Sequence, residues 1–157
     1  MQSDDTELVV RLFTEAVPEI AAGIVEIKAI ARLRDYRSKL ALHSSDPRVD
    51  SVGVCVGTRG CRIKNIVDQL DGERIDLVRW DESPEKLIAN ALQPAQIDRV
   101  VFHPERHVAE VIVNEDQVSL ALGRRGTNRE LASKLTGWVI HVISMNPPHG
   151  LEDGIWL

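Results

Sequence analysis

What the chain lacks narrows it first. It has only two cysteines, Cys55 and Cys61. That is too few for a disulfide-stapled secreted fold, and a reducing cytoplasm is the expected setting. No apolar run approaches the ~20 residues that a membrane-spanning helix needs, so no membrane role is expected. The opening MQSDDTELVV is acidic where a secretory signal is basic. There is no Walker loop, no nucleophile elbow and no pair of carboxylates beside a basic loop. Two cysteines without a Cys-x-x-Cys or clustered histidines offer no metal site. Neither an enzyme nor a cofactor is expected. Basic charge is short as well, because 19 Lys and Arg stand against 24 Asp and Glu, for a net charge of −5. A protein that coated DNA through phosphate neutralisation alone would be basic.

What is present is globular. Hydrophobic residues make up 43% and charged residues 27% of 157 positions, room for one ordinary domain or two small ones. Two tetrads are the most informative feature: Gly57-Thr58-Arg59-Gly60 and Gly123-Arg124-Arg125-Gly126. Their surroundings repeat. Asp50 to Gly57 (DSVGVCVG) aligns with Asp116 to Gly123 (DQVSLALG), with apolar residues coinciding at Val52/Val118, Val54/Leu120 and Val56/Leu122. Downstream, Gln69-Leu70-Asp71-Gly72 answers Lys134-Leu135-Thr136-Gly137, and IDLVRW (75–80) answers WVIHVI (138–143). A long repeat occurring twice reads as two small domains rather than a solenoid.

Periodicity fills in the elements. A helix is expected over Thr6–Ala16, ended or kinked by Pro18. Strands follow at Val25–Leu33 and Lys39–His43, then a short helix at Val49–Val56, the first tetrad, a helix at Cys61–Leu70 and a strand at Ile75–Trp80. Ser83-Pro84 starts a helix that runs to Leu92. Strands at Arg99–Phe102 and Val108–Val113 come next. A helix capped by Asp116 and ending at Leu122 precedes the second tetrad, which leads to a helix at Thr127–Leu135 and a last strand at Trp138–Ser144. The fold class is α+β, with the order α-β-β-α-α-β twice. The expected domains are 1–80 and 83–144, with 145–157 a flexible tail. The Asp81-Glu82 connector leaves little freedom, so a stiff side-by-side pair is expected. Cys55 reads as a small packed hydrophobe, and Trp80 and Trp138 as core packing.

The tetrads carry a chemistry. Glycine permits a tight reversal and close approach by a ligand. The loop also lies at the N-terminus of the next helix, where free N–H groups and the helix dipole favour an anion. Arg59, Arg124 and Arg125 add charge-assisted bonds to phosphate oxygens. Arg62, Lys64, Asn128 and Arg129 extend the candidate site along the helices. Val54, Val56, Ile63 and Ile66 in the first module, and Leu120, Leu122 and Leu131 in the second, are the expected groove walls for bases. Few aromatics stand near the loops, so base stacking contributes less than on aromatic-rich platforms.

A helix–Gly-x-x-Gly–helix turn resembles the KH domain, whose loop clamps about 4 nucleotides of single strand, and the element order is similar to the prokaryotic, type II form. Val17-Pro18-Glu19-Ile20 followed by VEIKAIAR (25–32) resembles the KH region of the NusA family of bacterial transcription elongation, termination and antitermination factors. Ser45 to Asp50 (SDPRVD), Cys55-Val56-Gly57, Arg59-Gly60, Ile88 to Leu92 (IANAL) and Leu131 to Trp138 (LASKLTGW) fit as well. The resemblance implies single-stranded, nascent RNA as partner, lying on a continuous track across both modules. It also implies the RNA polymerase elongation complex, although the family's polymerase-contacting and OB-fold domains are not in this sequence. The chain is therefore expected to be either a fragment or a reduced natural form, and a monomer. Thr58 stands where the family often has proline. Asn128-Arg129-Glu130-Leu131 replaces a more usual Asn-Val-Arg-Leu, so the family role of that basic residue does not transfer to Arg129. Rival readings are a nucleotide-binding enzyme, a protein-interaction module without RNA binding and a ribosome-associated KH protein.

Overall fold

A computed structural model describes residues 4–145; beyond Met145, the expected tail lies outside the described residues. The chain divides into two compact units, Met1–Asp81 and Glu82–Leu157.

The first unit runs α1 (Asp4–Ala16), α2 (Pro18–Ala21), β1 (Val25–Leu33), β2 (Arg37–Ser44), α3 (Ser51–Val56), α4 (Cys61–Gln69) and β3 (Arg74–Arg79). Pro18 does more than end α1. It occupies the first position of α2, after an extended Val17, where its missing N–H costs nothing. The sheet order is β1-β2-β3. β2 is antiparallel to β1 and parallel to β3, with Leu40 opposite Ile30 on one side and Leu77 on the other. Val9, Phe13, Val17, Leu40, Leu42, Cys55 and Ile66 are sealed into one core between helices and sheet. Each large apolar side chain buried there contributes about 1.5–3 kcal/mol.

The second unit repeats this plan without a counterpart of α2: α5 (Pro84–Ala91), β4 (Arg99–His103), β5 (Val108–Val113), α6 (Val118–Leu122), α7 (Thr127–Thr136) and β6 (Val139–Ser144). The Ser83 hydroxyl accepts from the Lys86 amide and caps α5. The sheet order is β4-β5-β6, again one antiparallel and one parallel pairing. Ile88, Leu92, Val111, Leu131, Ile140 and Val142 are fully buried.

Four expectations shift. β2 begins at Arg37, because the turn closes tightly through Asp35 at φ 63° and Leu33 pairs directly with Arg37. Asp116 does not cap α6. It lies within a 3-10 turn, Glu115–Gln117, and α6 starts at Val118. Trp138 precedes β6, its amide bonded to the Thr136 hydroxyl. Neither Trp80 nor Trp138 is fully buried. Trp80 packs edge-on to His43 at 5.3 Å with Lys28 Nζ over its ring, and Trp138 stacks on His107 at 4.5 Å.

Candidate nucleic-acid interface

Each unit brings two helices head to tail around a glycine turn. In the first, the Asp50 side chain caps α3 by accepting from the Val52 amide at 3.3 Å. Burial works against its ionisation, but Arg79 and the Gly53 and Val52 amides outweigh it and hold the carboxyl below its ordinary value. A Cβ at Gly53 would lie 2.8 Å from Asp50 Oδ2, so that glycine makes room for the cap.

The chain then leaves α3 through Gly57 (φ 78°, ψ 174°), passes Arg59 (φ 55°, ψ 28°) and enters α4 through Gly60 (φ 74°, ψ 16°). In the second unit the torsions are 71° and 178° at Gly123, 58° and 25° at Arg125, and 72° and 13° at Gly126. The two turns agree within a few degrees at these three positions. In both, the second glycine's amide bonds back to the first glycine's carbonyl, at 3.0 and 3.1 Å. Arg59 and Arg125 hold left-handed torsions that only glycine adopts freely.

The four glycines serve two purposes. A Cβ at Gly57 would meet Arg62 Cγ at 2.7 Å, and one at Gly123 would meet Asn128 Cβ at 2.6 Å. The first glycine of each tetrad thus lets the turn close on its own helix. Around Gly60 and Gly126 nothing lies within 4 Å of a Cβ. Those positions need glycine for their torsion, and they leave open space where a ligand backbone can approach.

The charged residues separate into two groups. Arg59, Lys64, Arg124 and Arg125 are exposed and form no ion pair among the described residues. Thr58 is exposed in the first turn. Arg62, Asn128 and Arg129 are turned inward. Arg62 Nη1 donates to Glu19 Oε1 at 3.1 Å and to the Val54 carbonyl at 2.7 Å. Asn128 is 2% exposed, and its Nδ2 donates to the carbonyls of Leu92, Leu120 and Ala121 at 3.1–3.2 Å. Arg129 Nη1 donates to the Ile140 carbonyl of β6. Glu130 pairs with Lys134 at 3.5 Å, one helical turn on.

The expected apolar walls are corrected in two places. Ile66 and Leu131 are fully buried core residues. Val54, Val56, Ile63 and Leu122 are half-buried, and Leu120 is exposed. Cys55 is buried beneath the first turn, and burial pushes its thiol up to about 12, with Glu19 adding to the rise. It is an inert packing residue, as its sequence setting suggests. Among the described residues no group of His, Cys, Asp and Glu is arranged to hold a metal ion, and no helix is long and apolar enough to cross a membrane.

Comparison with known proteins agrees with this geometry. Residues 3–80 match the NusA-like first KH domain and residues 84–148 the NusA-like second KH domain. The transcription termination/antitermination protein NusA of Halalkalibacterium halodurans is 49% identical over 137 residues, which is 87% of this chain and 36% of that protein. Its namesakes from Bacillus subtilis (47% identical, 87% of this chain, 37% of that protein) and Thermus thermophilus (48%, 86% and 35%) are similar. The chain therefore spans about a third of the length of the curated relatives it matches. A solved structure, the crystal structure of APE1850, shares the fold with a TM-score of 0.59 at 24% identity, over 85% of this chain and 94% of that one. With one NusA-like KH domain following the other along nearly all of its length, this chain belongs to the NusA family of tandem KH proteins.

Proposed function

We propose that the chain binds single-stranded RNA through both glycine turns and does so in bacterial transcription elongation, termination and antitermination. The observation that carries this reading is the pair of turns with matched torsions. Each has an open second glycine and exposed arginines that form no ion pair among the described residues: Arg59 in one, Arg124 and Arg125 in the other. A sugar-phosphate backbone meets there the N-terminus of α4 or α7, whose first amides have no partner within the helix, together with a guanidinium fork suited to phosphate oxygens. Gly57, Thr58, Arg59, Gly60 and Lys64 form the first contact surface. Gly123, Arg124, Arg125 and Gly126 form the second. Arg62, Asn128 and Arg129 shape these surfaces from within.

Transcription enters through the relatives' names. Nascent RNA is the ligand, and any contact with RNA polymerase belongs to the longer architecture that the relatives possess. The protein acts by binding, without catalysis or a cofactor, as a monomer in the cytoplasm, with domains at 1–80 and 83–144. The test is titration of a labelled random-sequence single-stranded RNA pool against the chain and against Arg124→Asp/Arg125→Asp and Thr58→Asp/Arg59→Asp. Each double substitution weakens binding while leaving the melting temperature near that of the parent. Unchanged affinity in both would sink the clamp.

A further inference from the structure

Arg62 and Asn128 occupy the same place in the two units, two residues after the second glycine of each tetrad. Both point back rather than outward. Each donates to the carbonyl eight residues earlier, Val54 for Arg62 and Leu120 for Asn128, at the end of the preceding helix. Each also supports the close approach of the first glycine, Gly57 or Gly123. Their second anchors differ. Asn128 reaches a backbone carbonyl, Leu92, just past α5. Arg62 reaches a side chain, Glu19 of α2, and no helix stands in that place, between α5 and β4, in the second unit.

Resting on the RNA-clamp reading above, we propose that Arg62 and Asn128 are positioning residues that latch each glycine turn in its ligand-ready shape, and that Glu19 on α2 sets the first latch. The Arg62 guanidinium offers one nitrogen to two acceptors at once. While Glu19 holds it, the side chain lies along α4 with its N–H on the Val54 carbonyl, and Gly57 closes against its Cβ and Cγ. Without Glu19 the charged head is free to swing to solvent, as long flexible arginines do when unpaired. The Val54 carbonyl then loses its donor and the turn loosens. The second turn has no such dependence, since its latch is a buried neutral amide bonded only to backbone. Electrostatics alone gives the opposite expectation. Removing an acid near a basic loop, and releasing an arginine beside it, would raise affinity for a polyanion.

That opposition of sign makes the test decisive. Glu19 is a partly exposed residue on a short helix, so Glu19→Ala and Glu19→Gln are expected to fold. Glutamine keeps an oxygen acceptor for Arg62, and alanine does not. Binding of the same random-sequence single-stranded RNA pool is measured alongside amide NMR spectra of the RNA-free protein. Glu19→Ala weakens RNA binding about fivefold, the size of one ordinary hydrogen bond lost from the turn, and Glu19→Gln stays within about twofold of the parent. In the free protein, Glu19→Ala shifts the amides of Gly57, Thr58, Arg59 and Gly60 and leaves those of Gly123 to Gly126 in place. Equal or tighter RNA binding by Glu19→Ala would mean that Arg62 is a phosphate ligand restrained by Glu19, and would overturn the latch. Unmoved amides at 57–60 would overturn it too, independently of RNA. If instead the aspartate substitutions in both tetrads leave RNA binding intact, the clamp reading fails, while the amide shifts still decide what Glu19 does to the turn.

Discussion

In the first unit Arg32, Ser38 and Glu73 meet where the hairpin turn abuts the start of β3. In the second, the strand register puts Phe102, Ala109 and Trp138 in the same three places. The strand register is shared, with a hairpin turn one residue longer in the second unit, and the chemistry is opposite. Glu73 is 2% exposed, yet its carboxylate accepts from Arg32 Nε and Nη2, the Ser38 hydroxyl and the Asp35 amide, at 2.9–3.2 Å. Burial pushes its pKa upward, and the donors together prevail, holding it below the ordinary carboxylate value. Trp138 meets Phe102 edge-on at 4.8 Å and His107 face to face at 4.5 Å. A corner closed by rings tolerates imprecision, whereas a corner closed by a buried charge requires every partner.

Breaking the comparison is most direct at Glu73. Glu73→Gln leaves Arg32 buried against a neutral amide and should destabilise the first unit by about 3–5 kcal/mol. Trp138→Ala should cost the second unit less, about 2–3 kcal/mol, since that ring is half-exposed. Hydrogen exchange of β2 against β5 amides reads each unit by itself. Equal losses would show that the two corners are energetically alike after all.

Acid sharpens the same contrast. Glu73 has its pKa depressed in the folded state, so its contribution is complete above the ordinary glutamate value of about 4.3 and is lost as pH falls through the folded pKa. The stability gap between parent and Glu73→Gln should therefore close on acidification. A gap that persists to pH values well below that range would mean that the pair is not what the substitution removes.

Next in size is the pair of latches. Asn128→Ala strips the donor from three carbonyls and should cost the second unit about 2 kcal/mol, against about 1 kcal/mol in the first for Arg62→Ala, whose partners can be rehydrated. Both are measured by denaturant unfolding, with hydrogen exchange assigning the unit affected. The smallest expected effect concerns one position on each helix behind the turn, Lys64 in the first unit and Glu130 in the second. Glu130→Lys should raise RNA affinity about threefold and Lys64→Glu lower it by a similar factor, in line with reversing one surface charge, a change of two units, near a phosphate chain. An effect in only one of the two would mean that the loops do not share the load.

Much of the architecture was legible in the chain. The doubled α-β-β-α-α-β order, the tetrads as helix–turn–helix corners, and most element bounds follow from period, caps and glycines. The latches were legible too, had the helical period been carried into polar residues. Asn128, Leu131, Ala132 and Leu135 form one buried stripe at i, i+3, i+4 and i+7, and Arg62 leads Ile66 and Leu70 at intervals of four. Side-chain type pointed to phosphate, and position on the helix pointed inward. Ile66 and Leu131 lie on the same inward stripes and are core rather than groove wall. What no local pattern reveals is a partner far away in sequence, such as Glu19 for Arg62 or Glu73 for Arg32. Asp116 shows the limit of repeat alignment. It matches Asp50 in sequence, but a 3-10 turn takes the place of the cap, and Ser119 stands where Gly53 must leave space.

The parallel pairing of β2 with β3, and of β5 with β6, has a consequence for how such a site arises. Parallel neighbours cannot be joined by a hairpin; the chain must travel back along the sheet before it can lay down the next strand. In both units that return journey is the two helices and the glycine turn between them. The ligand-gripping loop is therefore a stretch of the road the fold has to travel in any case. Its residues can change their grip without any strand having to find a new neighbour.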